Sequence, residues 1–470
     1  MSKPNDSRRS FLKKTSAISF AASAPYFFSN SNAMSAEYRS ANDKIPIGLI
    51  GAGGMGIGNM EAAADYVDVV EIADVDSSHA DKANKKLSEG KAKVSGDYRN
   101  ILDRDDIKIV HIATPDHWHT KPLIEAMLAG KDIYCEKPLT LTIDEGKLIK
   151  KIQKETGAIV QVGTQQRSQF RQFTKAVAMC AEGRLGKIKR LQCAIGSAET
   201  SKSIPVIEVP KTLDWDRWLG PAPKCDIRSH KENFVDSRGR DRRGTKCNFH
   251  YEFRWWYEYS GGKLTDWGAH HVDIAMWALR ANGQSNNIVS VGGTSKHPVE
   301  FKDGVAVEKD RYNTASEFMF TAKLDDGVEL VMRNDTDNGL LIEGEKGRIF
   351  VNRKKLVGKP VEDLKDNPLP EDAIGKVYKN LPMEKNAREQ HWLNFLYCHK
   401  EKVEPISDVA SHMQMLNVCH LAGISGRLGR TINWDAATET ITGDELANSM
   451  LARPYREGYE IEMKAAAGVS

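Results

Sequence analysis

The sequence predicts two domains of different class: an α/β domain on a parallel sheet, then an α+β domain with an open, mostly antiparallel sheet. Three observations lead there. Up to about residue 165, short apolar runs alternate with helical stretches, the rhythm of parallel strands joined by right-handed crossovers. Beyond it, strand-like runs lie between turns, which suits antiparallel pairing with one face covered by helices. The chain has 470 residues, more than one ordinary core organises. With 40% apolar and 28% charged residues, it has the composition of a soluble enzyme rather than a disordered chain.

The first 33 residues read as an export signal. Ser7-Arg8-Arg9-Ser10-Phe11-Leu12-Lys13 matches a twin-arginine pattern, and residues 15–33 carry no charge. The apolar run is too short to span a membrane, and cleavage is expected near Ala33. This implies the twin-arginine (Tat) machinery as partner of the precursor, a periplasmic or otherwise exported product and no stable membrane insertion. The formal charge of +3 is largely this segment. Residues 1–14 hold five cations against Asp6, a balance of +4, so the rest stands at −1. So neutral a body gives no electrostatic case for nucleic acid. Residues 34–44 read as a polar linker.

The α/β domain is expected over 45–165. The apolar run 45–50 leads directly into Gly51-Ala52-Gly53-Gly54-Met55-Gly56 and a helix. Strand, glycine turn and helix N-terminus make an anion site, because glycines admit a pyrophosphate and the helix end offers free N–H groups. Gly51, Gly53 and Gly56 hold the three fingerprint positions, with Gly54 and Met55 between them. A second run, 67–73, ends at Asp74, whose carboxylate suits the ribose hydroxyls of NAD and repels the phosphate of NADP. The expected cofactor is therefore NAD in preference to NADP in a Rossmann domain. Strand 107–114 leads to Pro115, and strand 133–135 leads to Glu136-Lys137-Pro138. A helix over 143–155 and a strand over 158–162 complete the domain.

The second domain, 166–470, is expected to bind substrate and to support oligomerisation. Its strand-like runs are 188–195, 287–293, 316–322, 328–332 and 347–351, and helices near 389–398 and 410–421 are expected to pack back. Asp266 and His270 fall at i, i+4, so a helix places them on one face, and histidine suits removal of a hydroxyl proton near neutral pH. His271 and Asp273 lie beside them and compete for these roles. With His117 and His119 the group also admits a metal reading; neutral hydrogen-bonding histidines are preferred and no metal is assigned. Trp255, Trp256, Tyr257, Tyr259 and Trp267 suit stacking on a sugar or a domain core equally. Gln166 and Arg167 point to substrate or to an interdomain turn. Residues 224–246 carry a local excess of cations, including Arg242 and Arg243, and read as an inserted loop with a clamp for acidic sugars as its sharper reading. The seven cysteines show no metal spacing; free thiols are preferred to a Cys225–Cys247 bridge.

Taken together, Gly51–Gly56, Ala113-Thr114-Pro115-Asp116-His117, Glu136-Lys137-Pro138 and Asp266-Trp267-Gly268-Ala269-His270 resemble the Gfo/Idh/MocA oxidoreductases. The resemblance runs from residue 45 to about 280. It implies an NAD(P)-dependent oxidoreductase acting on a CH–OH group of a sugar or cyclitol, with a carbohydrate substrate and a homo-oligomer, dimer or tetramer, as partners. It implies Lys137 beside the nicotinamide and the reacting hydroxyl, His270 as base, and Asp266 as orienting group. Cofactor contacts are expected from Gly51, Gly53, Gly54, Met55, Gly56, Asp74, Thr114, Pro115, His117, Glu136 and Lys137. Substrate contacts are expected from Gln166, Arg167, Trp256, Tyr257 and His271. Export adds that the dinucleotide is held tightly and recycled in place. The alternative is a redox-neutral glycosidase or lyase working through a transient keto-sugar.

Overall fold

The computed structural model describes residues 44–235, 241–378 and 386–461, the side chains of 232–243 excepted. The export signal and all but the last residue of the linker lie outside the described residues. Six strands form the first sheet: β1 (Ile45–Ile50), β2 (Val67–Ala73), β3 (Lys93–Ser95), β4 (Ile109–Ile112), β5 (Asp132–Cys135) and β6 (Val160–Val162). All pair in parallel, in the order β3-β2-β1-β4-β5-β6. Ile47, Leu49, Ile109, Val110, Ile112 and Ile133 are fully buried, as expected where helices cover both faces of a parallel sheet. The short β3 had no apolar run to announce it. The strand order reverses between β1 and β4, so a crevice opens above their C-terminal ends.

The remaining strands are β7 (Ile188–Ala194), β8 (Ser229–Val235), β9 (Asp241–Cys247), β10 (Ile288–Lys296), β11 (Phe301–Lys302), β12 (Val305–Ala306), β13 (Glu317–Leu324), β14 (Glu329–Arg333), β15 (Gly339–Gly344), β16 (Gly347–Val351), β17 (Leu356–Val357), β18 (Ile432–Asp435) and β19 (Thr440–Thr442). Nine of them make an open sheet in the order β17-β16-β15-β7-β14-β13-β10-β18-β19. It is antiparallel except where β7 lies parallel to β14. Along β13, Phe318, Phe320, Ala322 and Leu324 are buried while Glu317, Met319 and Lys323 face out, the alternation of a sheet covered on one side. Helices Gly268–Ala281 and Val409–Leu428 supply the cover, and the first is buried from Gly268 to Leu279. The stretch expected as an inserted loop, 224–246, instead contains the hairpin β8–β9. The side chains of Arg242 and Arg243 lie outside the described residues.

C-terminal segments return to the first sheet. The Gln161 side-chain amide donates to His391 O at 2.7 Å, Val162 N to Ser407 O at 2.9 Å, and the Tyr66 hydroxyl to Glu389 at 2.8 Å. One apolar core runs from Ile50 and Ile112 through Leu191 and Phe320 to Leu416 and Ile441. All seven cysteines are free thiols: Cys225 Sγ meets the Tyr259 hydroxyl at 3.1 Å and Cys247 Sγ bonds Phe249 O at 3.2 Å. Among the described residues no helix is long and apolar enough to cross a membrane.

Candidate active site

A cavity of about 1140 Å³ opens over the strand-order reversal and continues toward the second domain. That exceeds the usual range for a single small ligand. The glycine turn forms one wall. Gly51 has φ +89, and a Cβ there would lie 2.7 Å from the backbone of Ala113 and Thr114. A Cβ on Gly56 would lie 2.2 Å from Gly51 O, so this glycine brings helix Gly54–Ala63 against β1. Cβ atoms on Gly53 and Gly54 would meet nothing within 4 Å, and no side chain caps the helix. The open side of the turn thus presents free N–H groups to the cavity. Asp74 is locked at the end of β2, accepting from Ala52 N at 2.7 Å and Asp76 N at 2.8 Å. Burial pushes its carboxyl above the ordinary value. Thr114, Pro115 and Met55 also line the cavity, and Thr114 Oγ1 is buried without a protein partner. An open glycine cradle, a fixed carboxylate and an orphaned hydroxyl fit a dinucleotide.

The other end is built where the domains meet. Lys137 follows β5, and its Nζ pairs with Asp266 Oδ1 at 2.5 Å and donates to Asp266 O at 3.2 Å. The Lys137–Pro138 peptide is cis. Arg254 Nε stands 3.6 Å from the same Asp266 oxygen. Burial raises the Asp266 carboxyl, but the Lys137 ammonium and Arg254 guanidinium outweigh it and hold it below the usual carboxylate range. Asp266 ends a short helix, Lys263–Asp266, and His270 sits in the first turn of Gly268–Ala281. Both face the cavity, as their spacing predicts. Burial, with Lys137 next in effect, pushes His270 well below the ordinary imidazole value, and its Nδ1 has no protein partner. The result is a neutral imidazole beside an ammonium–carboxylate pair.

Glu136 lines the cavity beside Lys137. Its Oε1 accepts from Asn59 at 2.7 Å and Gln165 at 2.9 Å. Gly163 makes room, since a Cβ there would lie 2.5 Å from that oxygen. Gln166 lines the cavity, donating to His270 O at 3.3 Å and accepting from Arg353 Nε at 3.0 Å.

Six sequence candidates do not line the cavity. His117 is 1% exposed and packs between Trp218 and Tyr259, with Nε2 bonding Trp218 O at 3.0 Å. Arg167 grips Asp273 through two bonds of 2.7 and 2.5 Å and also reaches Ile406 O at 2.6 Å, so it is a buried structural cation. Trp256 donates to Cys247 O inside an aromatic cluster with Trp218 and Tyr312. The Tyr257 hydroxyl meets His297 at 3.2 Å, away from the cavity. His271 is fully buried between Asn338 at 2.9 Å and Gln166 at 3.4 Å. Gly56 contributes by packing and does not line the cavity. With His271 and Asp273 thus engaged, the metal grouping considered from sequence does not assemble. Among the described residues the His/Asp grouping close enough to share an ion is Asp76, His79 and His250, with ligand atoms within 4.8 Å of one another. Asp76 there caps helix Ser77–Leu87 and meets His250 Nε2 at 3.2 Å.

The structure adds residues that sequence patterns do not flag. Asp116 lies beside the reacting end, 5% exposed, and accepts from the Ser260 hydroxyl at 2.6 Å. Burial pushes its carboxyl up to about 7. Its place next to His117 in a quoted motif was the available signal. Arg254, Arg353 and Arg388 also line the cavity. At the far end, Trp118 meets Tyr459 edge-on at 5.7 Å, and Lys121 donates to Glu460 O at 2.6 Å. A segment near residue 459 thereby closes the rim.

Comparison with known proteins follows this geometry. A family model described as "Oxidoreductase family, NAD-binding Rossmann fold" matches residues 45–164, and one described as "Oxidoreductase family, C-terminal alpha/beta domain" matches 197–461. A glycosyl hydrolase family 109 protein of Shewanella sp. (strain ANA-3) is 35% identical over 158 residues, covering 29% of this chain and 35% of that protein. An alpha-N-acetylgalactosaminidase of Shewanella oneidensis is 32% identical over 162 residues, covering 30% and 35%. The chain therefore matches about a third of the length of these curated relatives. A solved structure of levoglucosan dehydrogenase in complex with NADH and levoglucosan has a TM-score of 0.58 at 20% identity, covering 83% of this chain and 99% of that one.

Proposed function

The chain belongs to the Gfo/Idh/MocA family of NAD-binding oxidoreductases, and from that premise we propose that it oxidises a hydroxyl of a sugar or cyclitol. The observation that carries this reading is the meeting of Lys137, Asp266 and His270 at the inner end of the cofactor cavity. When bound, NAD supplies the hydride acceptor. The Lys137 ammonium, held by Asp266, stabilises the developing alkoxide. Neutral His270, whose ring reaches the cavity, takes the hydroxyl proton. Gly51, Gly53, Gly54 and Met55 would hold the pyrophosphate, and the Asp74 carboxylate would bind the adenosine ribose. Glu136, fixed by Asn59 and Gln165, would border the nicotinamide together with Thr114 and Pro115. The levoglucosan dehydrogenase neighbour, solved with a sugar and NADH, supports a carbohydrate substrate.

The proposal includes export of the mature chain after a Tat signal cut near Ala33. It also includes assembly into a dimer or tetramer, and a dinucleotide retained in the site and returned to NAD by reduction of a second sugar. The glycosyl hydrolase family 109 relatives favour a second reading, a redox-neutral cleavage through a transient keto-sugar. Product analysis separates the two: a keto-sugar or lactone for the first, a released aglycone for the second. The test of the site is Lys137→Ala and His270→Ala on protein that still binds NADH. The expected result is loss of turnover in both; unchanged turnover overturns the assignment.

A further inference from the structure

Seven cations stand on the cavity wall among the described residues. Five of them, Arg99, Lys121, Lys137, Arg217 and Arg254, each have a carboxylate at 2.5 to 3.6 Å. Among the described residues Arg353 and Arg388 have no carboxylate within 4 Å; burial pulls the Arg353 guanidinium below its ordinary value, with Asp266 opposing the fall and Arg388 adding to it. Two like charges on one wall, neither directly paired with a carboxylate, raise each other's energy. Their geometry is nevertheless fixed. Arg353 lies 4.7 Å from the Trp267 ring centre, its Nε donates to Gln166, and Gln169 donates to its backbone carbonyl at 2.8 Å. Both terminal nitrogens of Arg353 remain uncommitted. Arg388 is anchored through one terminal nitrogen to Gly58 O at 3.2 Å, on the helix that follows the glycine turn.

We infer that Arg353 and Arg388 form a receptor for one oxyanion, a carboxylate or phosphate group, lying between the glycine-rich turn and the Lys137–Asp266 pair. A guanidinium fork matches the two oxygens of such a group, and the anion supplies the direct partner that neither guanidinium has. Two sources share this chemistry: an acidic substituent on the sugar, and the cofactor's phosphates. Both carriers rest on the redox reading above, but the receptor is a statement about charge and is tested by binding.

The test uses the full chain with Arg353→Gln, Arg388→Gln and the double substitution. NADH binding is followed by fluorescence titration, and D-glucuronate and D-glucose binding to NAD-loaded protein by calorimetry. The expected result is at least a tenfold loss for an anionic probe in the double variant, with D-glucose changed less than twofold. Loss confined to D-glucuronate assigns the receptor to an acidic sugar, and loss confined to NADH assigns it to the cofactor phosphates. Changes below twofold for both anions, or no measurable D-glucuronate binding with NADH unchanged, overturn the inference. Arg353→Lys keeps the charge without the fork and is expected to retain part of the affinity. Arg353 is exposed to the cavity, so the single variants give a readout even if the double variant folds poorly. Turnover is not read, so a failure of Lys137→Ala to abolish activity bears on the redox reading alone.

Discussion

Lys137 and Asp116 illustrate how much one side chain decides at this site. Lys137 is the cation proposed to face the reacting hydroxyl, and Asp266 holds it while also drawing in Arg254. Lys137→Ala is expected to lower kcat by about 10²–10⁴-fold, the range for loss of a positioned acid–base or charge-stabilising group, while NADH titration stays within a few-fold. Asp116 makes a prediction about pH. Its carboxyl is pushed up to about 7 from the ordinary 3.8 because burial penalises the charged form. The folded state therefore binds this proton more tightly than the unfolded state. The associated stability is present in full below about pH 4 and is lost as pH rises toward 7, on the order of a few kcal/mol. Asp116→Asn is expected to flatten that part of the profile, compared by thermal melts at pH 5 and pH 8; an unchanged slope contradicts it. The sequence made Lys137, Asp266 and His270 legible because each sits inside a local motif. It did not reveal Arg254, Arg353 or Arg388, which reach the cavity through long-range packing. It over-assigned His117 and Trp256, whose closeness to a motif in sequence is answered by burial against Trp218 and Tyr312.

At the scale of elements, the turn between β1 and its helix and the buried pair joining Arg167 to Asp273 of helix Gly268–Ala281 matter most. Gly56→Ala places a methyl 2.2 Å from Gly51 O, where backbone rather than a flexible side chain must yield. NADH affinity is expected to fall at least tenfold, read by fluorescence titration. Arg167→Met leaves Asp273 buried without its cation and is expected to cost about 3–5 kcal/mol, measured by denaturant unfolding. Methionine at 167 without measurable destabilisation rules out a structural role for that pair. The alternating strands of the second sheet were readable as a period of two, and the buried strands of the first as continuous apolar runs. The short β3 and the hairpin β8–β9 were not, because neither follows an apolar pattern: β3 has three residues, and β8–β9 are dominated by charged and polar side chains.

Across the whole molecule, the C-terminal segments embrace the first domain. Arg456 ties the segment bearing Tyr459 to Asp216 at 2.5 Å and to Gly220 O at 2.7 Å, beside the cavity rim. Arg456→Ala is expected to speed dissociation of bound NADH several-fold in stopped-flow displacement, with kcat for the chemical step unchanged. A dissociation rate equal to wild type removes this segment from any account of cofactor retention. The Lys137–Asp266 contact joins residues 129 positions apart, and the Tyr66–Glu389 bond spans 323. Contacts of such sequence separation carry a large loop-closure cost and slow folding. The sheets can gain their local structure before this pair meets. Recovery of turnover after dilution from denaturant is therefore expected to lag the recovery of helical signal and to follow the slowest refolding phase, so catalytic competence is acquired last.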